Sequence, residues 1–244
     1  GAWCGSAQCA FELALLDALT KQRGEPLVKF FGGAGTGLET DMTVTTGSAD
    51  EAAEAARDIR ARGIRLIKVK VGGQAGPVHD LARLFAIHEV APDSPLILDG
   101  NAGVSRAAAG ELVRGLKARG IVPALLEQWL AKDDLAGARA LGEESGWLVA
   151  ADESVTSADD ARRVVAERAA GAINIKLMKC GGLTPALRMI KKARTLGLKV
   201  MVGCMTESTI GCSAIAHLLP LLDYVDMDGC LLVDDTISTV SIYY

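Results

Sequence analysis

The sequence predicts a (β/α) barrel of the TIM type, and three observations carry that prediction. Eight short apolar, β-branched segments recur along the chain. Stretches of amphipathic helical pattern fill the seven intervals between them. Charged residues stand at or near the C-terminal ends of six of the eight segments, the ends where such barrels build their sites.

The first element is a helix. AQCAFELALLDALTKQ (7–22) has its apolar residues at helical spacing, and Gly24-Glu25-Pro26 stops it. After a Gly-rich connection the alternation begins. The strand segments are DMTVTT (41–46), LIKVKV (66–71), PLILDG (95–100), ALLEQ (124–128), WLVAADE (147–153), AINIK (172–176), KVMVGC (199–204) and LDYVDMD (222–228). The clearest helical stretches are 49–63, 161–171 and 185–197, and each ends in Gly, the common residue just past a helix. Short, continuously apolar strands are what a parallel sheet covered on both faces requires. A doubly wound open sheet is the competing topology, but no G-x-G-x-x-G follows the first strand. The expected organisation is a helix and connection over 1–40, a catalytic barrel over 41–235 and an atypical tail over 236–244.

The bulk properties exclude several classes. The 244 residues are 50% hydrophobic and 23% charged, enough for one large core. The net charge is −4 with no long Lys/Arg run, so nucleic acid is not an expected partner. No apolar run approaches the length of a membrane span. The six cysteines form no C-x-x-C pair and lack zinc-site spacing, which is read most simply as reduced thiols in a cytoplasm. A homo-oligomer is left open. The chain starts at Gly1 rather than Met, and a natural start further upstream is expected.

The charged residues at the strand ends are Lys68 and Lys70, Asp99, Glu127, Asp152, Lys176, then Asp226 and Asp228, each spaced from the next strand's by one β/α unit or two. Any one of them can be a solvated strand boundary. As a set, in phase with the fold, they point to one site. Asp99, Glu127 and Asp152 on successive strands offer three oxygens, which suits a hard cation such as Mg²⁺ better than zinc. Lys68 and Lys70 stand two apart and so share a face, where each disfavours the other's charge. Lys176 lies four strands further on, about half a barrel away, so two lysines can address one carbon from opposite sides. Asp226 and Asp228 repeat the two-residue spacing on the eighth strand and can hold a substrate ammonium, or be a solvated end. His79, His88 and His217 fall in helical stretches and are read as helix residues, while Cys204 ends strand seven and is placed against the pocket.

IKVKVGG (67–73), LILDGN (96–101), LLEQ (125–128), ADES (151–154), INIKLMKCGG (173–182) and VGCMTES (202–208) resemble the muconate-lactonizing subgroup of the enolase superfamily. DMDG (226–229) is similar to the Asp-x-Asp motif of its dipeptide epimerases, of the L-Ala-D/L-Glu epimerase type. The resemblance implies a TIM-like (β/α)7β barrel and a Mg²⁺-dependent isomerase that inverts a carbon beside a carboxylate by two-base proton transfer. It implies Asp99, Glu127 and Asp152 as Mg²⁺ ligands and Lys70 and Lys176 as the acid/base pair. It further implies Lys68 on the substrate carboxylate or tuning Lys70, Asp226 and Asp228 on the dipeptide's amino group, and Thr43, Met205 and Thr206 lining the pocket. Glu207 stands near the mouth without an assigned step. Family members carry an N-terminal α+β capping domain, absent from this chain, and usually continue through a Gly-Gly stretch where this chain reads TISTVSIYY, so a truncated barrel is expected. o-Succinylbenzoate synthase, N-acylamino acid racemase and muconate cycloisomerase are alternatives that share the metal and lysines without needing the paired acids. A non-catalytic barrel is the alternative of another class.

Overall fold

The computed structural model describes residues 4–33 and 37–233, so the tail expected over 236–244 lies outside the described residues. Helix α1 (Gly5–Arg23) ends at Gly24, whose left-handed φ of 63° closes the last turn, and α2 (Leu27–Phe30) follows Pro26. Strands and helices then alternate. They are β1 (Asp41–Val44), α3 (Ala49–Ala61), β2 (Leu66–Lys70), α4 (Gly76–Val90), β3 (Leu96–Asp99), α5 (Arg106–Ala118), β4 (Leu125–Glu127), α6 (Leu135–Ser145), β5 (Val149–Ala151) and α7 (Ala158–Ala166). The series continues with β6 (Ala172–Ile175), α8 (Leu177–Cys180), α9 (Leu183–Thr195), β7 (Lys199–Gly203), α10 (Thr209–Ala216) and β8 (Tyr224–Asp226). Strand order in the sheet equals chain order, β1 through β8, which is the strand order of the (β/α) barrel class. The short helix α8, between Lys176 and Gly181, is an element the periodicity did not predict. No helix among the described residues is long and apolar enough to cross a membrane.

The chain divides into two compact units. One runs over Asp41–Val155 and Arg162–Ala172. Its strands β1 to β5 pair in parallel, each with the next. Period-two alternation decides which side chains face the helices. Ile67, Val69 and Val71, Leu96 and Leu98, Leu126 and Val149 join Ala56 and Ile59 of α3, Leu84 and Ile87 of α4, and Leu112 and Leu116 of α5 in one buried core. Each such Leu or Ile contributes about 1.5–3 kcal/mol by leaving water. The intervening residues, Lys68, Lys70, Ile97, Asp99, Leu125 and Glu127, therefore point to the opposite side of the sheet. Helix α3 starts at a capping box, in which Glu51 N–H donates to Ser48 Oγ and Ser48 N–H donates to Glu51 Oε2.

The other unit comprises the residues up to Thr40, Thr156–Ala161 and those from Ile173 on. Here α1 lies along α8. The Thr184 N–H, in the first turn of α9, donates to the carboxylate of Glu12 at 3.2 Å. β7 and β8 pair in parallel, with Gly203 opposite Asp226. Thr40, the residue before β1, forms a parallel bridge with Val225, and its Oγ1 accepts the Met227 N–H at 3.0 Å.

Candidate active site

Within the first unit, register alone lines up one row of charge. Lys70 pairs with Asp99, and Asp99 pairs with Glu127. Glu127 in turn pairs with Ala150, and Asp152 stands one pleat beyond it, on the same face. Lys68 sits two residues before Lys70 on that face, and half-buried Thr43 pairs with Lys68 across β1 and β2. The charges are withdrawn from water, with relative exposures of 1% for Lys68, 1% for Asp99, 0% for Glu127 and 1% for Asp152. Buried charges persist only when paired. Lys68 Nζ lies 3.2 Å from Asp99 Oδ2 and 3.0 Å from Glu127 Oε2, so one ammonium bridges two of the three predicted ligands. Lys70 Nζ donates to Asp99 Oδ2 at 2.6 Å and to Asn101 Oδ1 at 2.8 Å. Burial alone would raise the Asp99 carboxyl, but Lys68, Lys70 and the Asn101 N–H outweigh it and hold the group below its ordinary range.

Two positioning devices in this unit escaped the reading of the sequence. Gln128 follows Glu127 and is buried. Its Oε1 accepts the Asp152 N–H at 2.9 Å and the Ser154 N–H at 3.1 Å, while its Nε2 donates to the Leu130 carbonyl and to Ser154 Oγ. One side chain thus ties the end of β4 to the loop that carries Asp152. Arg83 and Asp80, both buried in α4, form the second device. Arg83 donates to the carbonyls of Lys70 and Thr45, and Asp80 accepts the Gly72 N–H at 2.7 Å, fixing the backbone at Lys70 and just beyond it. In the sequence the pair shows only as two opposite charges three apart, the pattern of an ordinary helix-surface ion pair. The backbone also carries strain here. Asn101, Ala102 and Gln128, which follow Asp99 and Glu127, have φ of 40°, 60° and 35°, a region that side-chain-bearing residues rarely adopt and that clusters at functional sites.

The second unit holds the remaining predicted residues. Lys176 follows β6 directly, as the residue before α8, and is buried. Glu207 is buried too; desolvation raises its carboxyl above the ordinary range against the opposing pull of the Met205 N–H, 2.9 Å away, and of Lys176, while Asp226 adds to the rise. Asp226 closes β8, but Asp228 does not lie on that strand as the sequence predicts. β8 stops at Asp226, Met227 leaves the extended region at φ −124°, ψ 21°, and Asp228 opens a 3-10 turn over Asp228–Leu231. The two carboxylates still meet, because that turn folds Asp228 back. Cys204 Sγ stands 3.8 Å from Asp226 Oδ1 and 3.9 Å from Asp228 Oδ1, and all three residues are buried. The neighbouring Cys212 thiol, burial and the two acids together push the Cys204 thiol far up. Met205 and Thr206 are exposed beside this group. His79 and His88 lie in α4 and His217 at the end of α10, in helical positions as expected; His79 Nε2 meets the Gly47 carbonyl at 2.8 Å.

In the first unit, three buried carboxylates on successive strand ends form an all-oxygen donor set, and that set fits a hard divalent cation. Lysines beside it supply groups able to exchange protons.

The sequence model of the family described as "Enolase C-terminal domain-like" matches residues 50–232. The aromatic dipeptide epimerase of Herpetosiphon aurantiacus is 45% identical over 231 residues, which cover 93% of this chain and 64% of that protein. The solved substrate-liganded complex of the L-Ala-D/L-Glu epimerase from Bacillus subtilis superposes with a TM-score of 0.93 at 34% identity, covering 98% of this chain and 68% of that one. The dipeptide epimerase from Enterococcus faecalis complexed with Mg and L-Leu-L-Tyr does so with a TM-score of 0.88 at 32% identity, covering 94% and 65%. The chain spans under two thirds of the length of the first curated relatives, 64% and 62%.

Proposed function

The chain belongs to the enolase C-terminal domain-like family, and from that premise we propose that it carries the catalytic residues of a Mg²⁺-dependent dipeptide epimerase. The observation that carries the reading is the row Lys70–Asp99–Glu127, its two acids buried, with buried Lys68 bridging them. In this reading Asp99, Glu127 and Asp152 hold the metal. Bound there, Mg²⁺ supplies Lewis-acid stabilisation of the charge that gathers on the substrate carboxylate when the adjacent carbon loses its proton. Lys68 adds a positive charge on the same side. Lys70 and Lys176 are the acid/base pair, one removing the proton and the other returning one to the opposite face. In this reading Thr43, Met205 and Thr206 are substrate-binding residues. The six cysteines, all free thiols, suit a reducing cytoplasm.

Asp226 and Asp228 select the substrate class. Two buried carboxylates repel unless a cation lies between them, and the amino group of a free dipeptide is such a cation. Charge-assisted hydrogen bonds of about 1.5–3 kcal/mol each then give a loss on the order of a hundredfold or more in kcat/KM when both residues become Asn. The wild-type enzyme is expected to turn over a free dipeptide well and its N-acetylated form poorly. Equal rates for the two would move the assignment to N-acylamino acid racemase, which has no ammonium to read.

Gln128 is assigned a positioning role through Asp152. Gln128→Ala is expected to weaken Mg²⁺ affinity by about 10–100-fold, the usual cost of losing an outer partner of a metal ligand. Titration calorimetry with Mg²⁺ reads this directly. The readout also separates positioning from general destabilisation, because Gln128→Glu keeps Oε1 as an acceptor but cannot donate to the Leu130 carbonyl when ionised, and should fall between the two. Unchanged affinity in Gln128→Ala would remove the role.

A further inference from the structure

We propose that Cys204, Asp226 and Asp228 form a second cation site, made for a thiophilic divalent ion of the zinc class. The ligand atoms of these three buried residues lie within 4.8 Å of one another. The two sulfur–oxygen separations are close to what such an ion needs. With metal–sulfur and metal–oxygen bonds of about 2.3 and 2.0–2.2 Å, a tetrahedral sulfur–oxygen edge is about 3.5–3.7 Å. The two sulfur–oxygen edges observed are 3.8 and 3.9 Å, within a few tenths of an ångström of that geometry.

The surroundings support the same assignment. Gly229 N–H donates to Cys204 Sγ at 3.2 Å, the kind of outer hydrogen bond that orients a sulfur ligand. Any side chain at 229 would abolish that approach, since a Cβ there would stand 2.9 Å from Cys204 Sγ and 2.5 Å from the Met205 carbonyl. Two more buried thiols stand nearby, Cys212 on α10 and Cys230 on the 3-10 turn packed against it. The donor set therefore differs in kind from Asp99, Glu127 and Asp152. A sulfur ligand favours a soft or borderline ion and gives nothing to Mg²⁺. On binding, the Cys204 thiol gives up its proton to solvent and the ion takes its place.

One consequence rests on the epimerase reading: two aspartates that hold zinc cannot at the same time hold a substrate ammonium, so zinc should compete with dipeptide.

The test uses Co²⁺ as the spectroscopic probe, added to the protein with Mg²⁺ in excess. A near-ultraviolet thiolate-to-cobalt charge-transfer band is expected, saturating at one equivalent and bleached by Zn²⁺. Cys204→Ser, nearly isosteric, should lose the band; Asp228→Asn, which keeps the thiol, should bind Co²⁺ more weakly; Asp99→Asn should leave it intact. No band in the wild type, or a band of equal strength in folded Cys204→Ser, overturns the site. The competition is read separately, as a Zn²⁺-dependent rise in KM for dipeptide at constant kcat. A charge-transfer band without that rise would keep the metal site and count against the ammonium role of the two aspartates, so the two readings fail independently.

Discussion

Lys70→Ala is expected to lower the proposed epimerisation by about 10²–10⁴-fold, the range that a positioned proton-transfer group contributes. Structure makes the expectation specific to this lysine. Its Nζ is held by Asp99 and Asn101, and its backbone is clamped through Arg83 and Asp80, so its removal deletes a group that the fold has fixed in place. Two-base transfer adds a second, sharper expectation. If the proposed scheme holds, Lys70→Ala should leave the Lys176 half-reaction, so exchange of one proton with deuterated solvent should survive for one enantiomer of the substrate. Lys176→Ala should show the mirror pattern. The measurement is deuterium incorporation by NMR alongside optical rotation, for each enantiomer. If both single variants still interconverted the enantiomers at the wild-type rate, the two-base scheme would be wrong.

Lys68→Met tests the electrostatics beneath the chemistry. The substitution keeps the apolar stem and removes the charge that bridges Asp99 and Glu127, leaving two buried carboxylates facing each other. Breaking a buried pair in this way costs about 3–5 kcal/mol, which urea unfolding in metal-free buffer should show as a large drop in midpoint. The pH dependence follows from Asp99. Its folded pKa is depressed, so it contributes stability above the ordinary carboxyl pKa that is lost as pH falls through the folded value. In Lys68→Met burial acts with less opposition, that pKa rises, and the gap between variant and wild type should narrow as pH falls. Mg²⁺ should also stabilise the variant, by mass action on the folded state. A variant within about 1 kcal/mol of wild type in metal-free buffer would mean that the pair is worth no more than a surface one.

Much of this was legible before any coordinates. The eight strands fall inside the eight segments read from β-branched apolar runs, because a sheet covered on both faces demands such runs. The charged strand ends were legible for the complementary reason: a charge inside an apolar strand is costly unless something holds it. Lys68, Lys70, Asp99 and Glu127 stood out on that ground, and register then lined up Lys70, Asp99 and Glu127. What lay hidden was contact across the chain. Gln128 looks like an ordinary polar strand end; only the approach of residues 152–154 makes it a clamp. Arg83 and Asp80 look like a helix-surface ion pair, and only packing against the ends of β1 and β2 buries them. Asp228 reads as a strand residue by its spacing, yet the backbone turns at Met227.

The sequence by itself determined the fold class, the positions of Lys68, Lys70, Asp99 and Glu127 along their strands and the face they share, since these follow from periodicity, which is local. The tertiary structure decided which charges meet. It placed one ammonium between Asp99 and Glu127 and gathered Cys204 with Asp226 and Asp228 at the ends of two adjacent strands. Such meetings depend on register, on turns such as the one at Asp228, and on backbone approaches that only a glycine at 229 admits. Those are relations between residues far apart in the chain, and no local pattern encodes them.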